Sequence, residues 1–112
     1  MKKEAPATTA KRLRKYITPR HRRLIVALLI GSLPRETADR VAGASNSPHY
    51  IRELRDKFQL NIRTERVERI DRDGNTTRPG VYHLEPDSRE LAELLISPAL
   101  PEWPTPDDDT GA

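Results

Sequence analysis

A chain of 112 residues with 35% hydrophobic and 33% charged side chains has room for one small domain, and terminal tails are expected beside it. It has no cysteine, and its longest apolar run, Leu24 to Ile30, is seven residues, which excludes disulfide frameworks, thiolate metal sites and a helix of the roughly 20 apolar residues that spans a bilayer. The net charge of +3 conceals a basic front and an acidic end, a distribution that points to an anionic partner and a cytoplasmic setting.

Residues 1–17 read as a basic, disordered arm. Up to Ile25, Lys2, Lys3, Lys11, Arg12, Arg14, Lys15, Arg20, Arg22 and Arg23 stand against Glu4, a net charge of +8. The stretch before Ile17 mixes Lys, Ala, Thr and Pro with little periodicity, so it is expected to be mobile until it meets a partner. No secretory h-region follows it, and no signal peptide is read. Such an arm attracts phosphate backbones or anionic lipid, or serves only solubility.

The folded domain is expected over residues 18–96. Thr18 is a good N-cap, and Pro19 suits the first helical position, where its missing N–H would have no partner anyway. A helix follows from Arg20 to Ile30. Leu24, Ile25, Leu28 and Leu29 lie on one broad face with Val26 and Ile30 beside it, and Gly31 ends it. A helix this apolar should be the buried spine of the domain. A second helix runs from Pro34 or Arg35 to Ala42, turning Ala38, Val41 and Ala42 inward, with Gly43 as its stop. After the turn Gly43-Ala44-Ser45-Asn46, Ser47-Pro48 opens a third helix that places Ile51, Leu54 and Phe58 on one stripe.

Two segments rich in Ile, Val, Thr and Tyr, from Ile62 to Ile70 and from Gly80 to Leu84, read as a hairpin around Asp71-Arg72-Asp73-Gly74-Asn75. Ile62 and Ile70 share parity and Val67 does not, which implies a bulge or a short strand. A last helix from Asp87 or Ser88 to Ile96 carries Leu91, Leu94 and Leu95 on one side, a face for a homodimer or another partner. Residues 97–112 turn to Pro, Asp and Thr and read as a disordered acidic tail. Residues 85–112 hold Arg89 against Glu85, Asp87, Glu90, Glu93, Glu102, Asp107, Asp108 and Asp109, a net charge of −7.

In the third helix, rotation by about 100° per residue puts Asn46, His49 and Glu53 opposite the apolar stripe, with Tyr50, Arg52, Asp56 and Lys57 flanking. One face can lock onto the first helix while the other presents donors and acceptors, the division that a recognition helix in the major groove needs. The N-terminal end of such a helix goes deepest. Ser45, Asn46, Ser47, His49 and Tyr50 are therefore the candidate base contacts, with Arg52 beside them, and Asn46 suits bidentate adenine contact. A turn role with left-handed φ for Asn46 and half-buried packing for Tyr50 are the structural alternatives. Glu53 and Asp56 weigh against tight phosphate contact at the far end.

In the hairpin, Arg63, Arg66, Arg69, Arg72 and Arg78 are interleaved with Glu65, Glu68, Asp71 and Asp73. Arg72 and Arg78, nearest the turn, are the candidate contacts to a nucleic-acid backbone or minor groove, whereas cross-strand ion pairing accounts better for Arg66 and Arg69. Lys11, Arg12, Arg14, Lys15 and Arg20 complete the expected contact set. No catalytic site, cofactor or metal is expected. His21, His49 and His83 lie far apart without metal-ligand spacing, there is no glycine-rich phosphate loop or G-x-S-x-G, and Asp71 and Asp73 flank a glycine turn.

The run Ile51-Arg52-Glu53-Leu54-Arg55, followed by Ile62-Arg63-Thr64-Glu65-Arg66-Val67 and closed by Val81-Tyr82-His83-Leu84, resembles a family of small winged-helix, helix-turn-helix proteins of bacteriophages and prophages. The likeness runs from about Arg22 to Leu84. It implies a winged-helix fold and DNA binding, often as a phage regulator. With Gly43 as the turn glycine, Ile51 and Leu54 come two residues later than in a tight helix-turn-helix, which implies a longer turn.

The expected protein is thus α+β, a winged helix-turn-helix with a three-helix core, a β-hairpin wing and a short C-terminal helix. It binds double-stranded DNA and no membrane, as a phage or mobile-element transcriptional regulator or an accessory factor of replication or recombination, in the cytoplasm and nucleoid of a bacterial host. The second reading is a protein-interaction adaptor on the same fold, favoured by the acids on the third helix. RNA binding is a third.

Overall fold

The computed structural model describes residues 4–97, and the expected acidic tail from Pro98 onward lies outside the described residues. In chain order the elements are α1 (Pro6–Leu13), a 3-10 turn (Arg14–Tyr16), α2 (Pro19–Ile30), β1 (Leu33–Pro34), α3 (Arg35–Ala42) and α4 (Ser47–Asp56). They continue as β2 (Ile62–Arg66), β3 (Arg69–Ile70), β4 (Thr76–Thr77), β5 (Gly80–Leu84), a 3-10 turn (Pro86–Ser88) and α5 (Arg89–Ile96). The class is mixed α+β, with a three-stranded antiparallel sheet ordered β1-β5-β2 and a two-stranded β3-β4 ribbon. No described helix is long and apolar enough to cross a membrane.

Helix α2 begins where capping chemistry places it. The Thr18 hydroxyl accepts the His21 N–H at 3.3 Å, and the Thr18 N–H in turn reaches His21 Nδ1 at 3.1 Å. This is a capping box in which an imidazole stands at the position usual for Glu or Gln. Leu24, Ile25 and Leu28 are buried against Ile51, Leu54 and Phe58 in one cluster, while Val26 and Ile30 are exposed. The helix is therefore a spine on one side only.

Helix α3 runs over the expected residues and α4 starts at Ser47 as expected, but α4 ends at Asp56, so Phe58 of the expected stripe packs from just beyond the helix. Gly43 takes φ 73° and returns its N–H to the Asp39 carbonyl at 2.9 Å, so the left-handed step that ends α3 falls on the residue that adopts it at least cost. The hairpin is interrupted between Arg66 and Arg69, as the broken parity of Ile62, Val67 and Ile70 implies. Pro79 has no N–H to offer the ladder. Its carbonyl still accepts from Val67 at 3.1 Å, and regular pairing resumes only in β3 and β4. At the tip the Asp71 carboxylate accepts the N–H groups of Asp73 and Asn75 at 3.0 and 2.8 Å, and Gly74 takes φ 84°. Strand β1, which the pattern does not announce, pairs Leu33 with Tyr82 and Pro34 with Val81 at the sheet edge, a place where a proline is tolerated.

The N-terminal arm is a correction. Residues 6–16, expected to be disordered, form α1 and a 3-10 turn, and α1 lies against α5. Pro6 starts the helix at a position that needs no N–H. Ala10 is 0% and Leu13 7% exposed, within the same cluster as Leu91, Ala92 and Leu95. The folded unit therefore begins near Glu4, not at Thr18. The apolar stripe of α5, expected as a dimer face, is covered by α1 of its own chain, and Leu91 and Leu95 are buried there.

Leu13→Ala should destabilise the protein by about 2 kcal/mol or more, the lower range for truncating a buried leucine, measured as a shift in the urea midpoint. An arm that did not pack would leave the midpoint unchanged.

Candidate functional site

Helix α4 is held in place from both ends. At its start Asp39 of α3 accepts the Ser47 N–H at 3.0 Å, supplying the cap that the Asn46 side chain does not make. Burial pushes the Asp39 carboxyl up, but hydrogen bonding from Ser47 and the Arg35 guanidinium outweigh it and hold the group below its ordinary value. Toward its end, Arg55 donates Nε to the Ile62 carbonyl at 2.8 Å and Nη2 to Thr64 Oγ1 at 2.6 Å. The guanidinium is a strut that fixes β2 against the helix.

Glu53 does not face solvent as a free charge. His21, 3% exposed, accepts the Thr18 N–H at Nδ1, so its Nε2 carries the hydrogen that Glu53 Oε1 accepts at 2.8 Å. His49 Nε2 lies 3.4 Å from the other carboxylate oxygen. The imidazole of His21 also meets Phe58 edge-on at 4.9 Å and Tyr50 at 6.0 Å. The acid that weighed against an anionic ligand is thereby drawn inward, leaving Asp56 as the exposed carboxylate of α4.

The expected N-terminal contacts divide. Ser45, Asn46 and His49 are exposed, and Asn46 takes φ −115°, so the left-handed turn role is absent. Ser47 is a correction: it is fully buried beneath the helix start and has no surface to offer a base. Tyr50 is half-buried as packing predicts, yet its hydroxyl accepts from Arg20 Nη1 at 2.8 Å, with the guanidinium 5.6 Å from the ring. Arg20, thirty residues away, thus joins the same surface.

A groove of about 320 Å³ opens between α4, the start of α3 and the β2-β5 pair, lined by Arg35, Arg52, Arg55 and Arg66 and by no carboxylate. Arg35 is tied to Asp39 at 3.7 Å and to the Ser45 carbonyl at 3.4 Å, and Arg66 to the Arg78 carbonyl at 3.4 Å. Arg52 stands exposed, and among the described residues it has no hydrogen-bond or ion-pair partner. The ion pairing expected for Arg66 and Arg69 is not found among the described residues; Arg63 with Glu85 and His83 with Glu65 make the pairs instead, each at 2.8 Å. Gly80 lies opposite Arg66, and a Cβ there would meet Thr64 Cγ2 at 3.2 Å, so the glycine keeps the groove wall close.

Arg35, Arg55 and Arg66 were not among the expected site residues. Strand alternation was the available signal for Arg66, which shares a face with Thr64. Arg72 and Arg78 are exposed on the hairpin as expected. Of the arm residues, Lys11 and Lys15 are exposed, Arg12 is paired with Glu4, and Arg14 is half-buried with Nε unpartnered. Lys15 and Lys57 both lie against the Tyr16 ring, at 5.4 and 5.5 Å, which places this cluster at the far end of α4 from Asn46. Among the described residues there is no group of three or more His, Cys, Asp or Glu that could hold a metal ion. No protein-family model, curated protein or solved structure matches this chain.

The lowered Asp39 value has a consequence for stability. A carboxylate depressed in the folded state contributes stability above its unfolded value of about 3.9, and that contribution is lost as the pH falls through the folded value. Asp39→Ala should cost about 1 kcal/mol at pH 7, as for a lost helix cap, and the difference from the parent in urea unfolding should shrink progressively as the pH is lowered below about 4.

Proposed function

We propose that this chain is a winged-helix protein that binds double-stranded DNA, with α4 in the major groove and the β2-β5 hairpin as the wing. The observation that carries the reading is the groove beside α4, walled by four arginines and no carboxylate, in which Arg52 has no partner among the described residues. The order α2, β1, α3, α4, then a hairpin, with β5 between β1 and β2, supports a helix-turn-helix braced by a three-stranded sheet. An α-helix is about 10–12 Å across with its side chains, and a major groove is about 12 Å wide.

In this arrangement Asn46 and Arg52 are the side chains suited to base edges, asparagine to adenine and arginine to guanine, each in a two-point hydrogen-bonded fork. Arg72 and Arg78 on the hairpin, Arg20 against Tyr50, and Lys11 and Lys15 beyond the far end of the helix serve as positioning contacts to phosphate. Arg35, Arg55 and Arg66 supply field along the groove wall. Arg55 is already committed to Ile62 and Thr64, so its contribution is charge and rigidity. The resemblance to phage and prophage proteins supports a role as transcriptional regulator or accessory factor in replication or recombination. The adaptor reading keeps the exposed Asp56, while Glu53 is held by two histidines and Leu91 and Leu95 are buried.

Fluorescence anisotropy against a selected duplex and random duplex should show affinity falling with salt, at a slope of about −0.9 per phosphate contact. Arg52→Ala should lower discrimination between the two by about 1–3 kcal/mol with an unchanged melting temperature. Arg72→Ala should weaken both equally and flatten the slope by about 1. Absence of duplex binding by the full chain at low salt would overturn the proposal.

A further inference from the structure

The outer side of α2 is apolar and, among the described residues, uncovered. Val26 is 40% and Ile30 82% exposed, and with Ala27 and Val41 they floor a shallow groove between α2 and α3. Its rim is Arg22, Arg23 and Arg40. Among the described residues these guanidiniums donate only to uncharged acceptors: Arg22 to the Ile96 carbonyl at 3.1 Å, Arg23 to the carbonyls of Val41 and Ala42 at 2.7 and 2.8 Å, and Arg40 to Thr37 Oγ1 at 3.3 Å. Among the described residues no carboxylate pairs with any of the three. The occupant this surface suits is an apolar segment bearing negative charge. A second copy would bring like-charged rims together.

The chain itself supplies a segment of that chemistry at the right place. Residues 98–112 contain Leu100, Trp103, Glu102, Asp107, Asp108 and Asp109 and no basic residue. They follow directly on α5, whose last carbonyl, that of Ile96, is held by the rim residue Arg22. We infer that residues 99–109 dock in this groove, with Leu100 and Trp103 over Val26 and Ile30 and the acids against the arginine rim.

Reach and spacing agree with this placement. Leu100 and Trp103 are three and six residues beyond Ser97, roughly 10 and 20 Å of extended chain at about 3.3–3.6 Å per residue. Val26 and Ile30 lie one and two turns along α2 from Arg22, roughly 6 and 12 Å. Prolines at 98, 101, 104 and 106 favour the polyproline II conformation, whose three-residue turn sets side chains three apart on one face, about 9 Å from each other. Docking removes from water an apolar patch that is otherwise an association hazard. The groove shares no residue with the one beside α4, so the inference stands apart from the DNA reading.

Trp103 is the only tryptophan and reports its own environment. In the full-length protein its emission should be blue-shifted and its acrylamide quenching several-fold slower than in Ile30→Asp, a substitution at a solvent-facing position checked for intact folding by thermal unfolding. Replacing Asp107, Asp108 and Asp109 with Asn should move the quenching rate toward that of Ile30→Asp. Light scattering across a concentration series should give a monomer mass while Trp103 is protected. Quenching in the parent as fast as for free N-acetyltryptophanamide overturns the inference, as does protection that survives Ile30→Asp. Protection that appears only together with a dimer mass also overturns it and assigns the groove to a second copy.

Discussion

The orientation of α4 depends on one buried imidazole. His21 closes the cap of α2 through Nδ1 and grips Glu53 of α4 through Nε2 at 2.8 Å, with its ring packed edge-on against Phe58. A buried polar group is costly unless its hydrogen bonds are satisfied. Both ring nitrogens are satisfied only when the start of α2 and the middle of α4 stand in this relation. The apolar contacts of Leu24, Ile25, Ile51 and Leu54 supply most of the stabilisation and little of the direction, because hydrophobic burial is not directional. The same pairing turns the Glu53 carboxylate partly inward on α4, so a contact that sets geometry also limits how freely this acid faces solvent.

The arginines near α4 divide by what their donors already hold. Arg55 is spent on the Ile62 carbonyl and Thr64, bracing the hairpin, and Arg66 and Arg35 lean on backbone carbonyls. Arg52 has no hydrogen-bond or ion-pair partner among the described residues. A fixed frame of like charges around one uncommitted guanidinium favours an anionic partner and orients it, since the framing residues do not need to reorganise when it arrives. On the proposed reading, affinity comes from the frame and discrimination from Asn46 and Arg52.

Closure of α1 over α5 gives the domain its second layer of helix packing. Ala10 and Ala92, both fully buried, let the helices approach closely, and Leu13, Leu91 and Leu95 fill the seam. The basic residues of this segment are therefore carried on a folded element. Lys11 and Lys15 are exposed on it, Arg12 is engaged with Glu4, and Arg14 is partly withdrawn from solvent.

Local chemistry made much of the fold legible. Thr18-Pro19 and Ser47-Pro48 mark helix starts because a proline needs no N–H partner there, and Gly43 marks a stop because it takes left-handed φ freely. The stripe of Ile51, Leu54 and Phe58 and the Asp-Gly turn at 73–74 follow from periodicity and turn preference in the same way. The exposed faces of Asn46, His49 and Arg52 were readable by the same rotation about the helix axis. What the chain could not announce were features whose energy comes from residues distant in sequence. Helix α1 has one leucine and one alanine to bury, too little for a periodic signal, and is stabilised only when α5 lies beneath it. Strand β1 is two residues long and exists because β5 offers it partners. Glu53 reads as a surface acid until His21, thirty-two residues earlier, reaches it. Arg66 reads as half of an ion pair until the hairpin is set against α4. Capping, turns and amphipathic faces are decided within a few residues of chain; burial of small side chains, the partners of charges and the walls of a groove are decided by which segments meet, and only the tertiary structure brings them together.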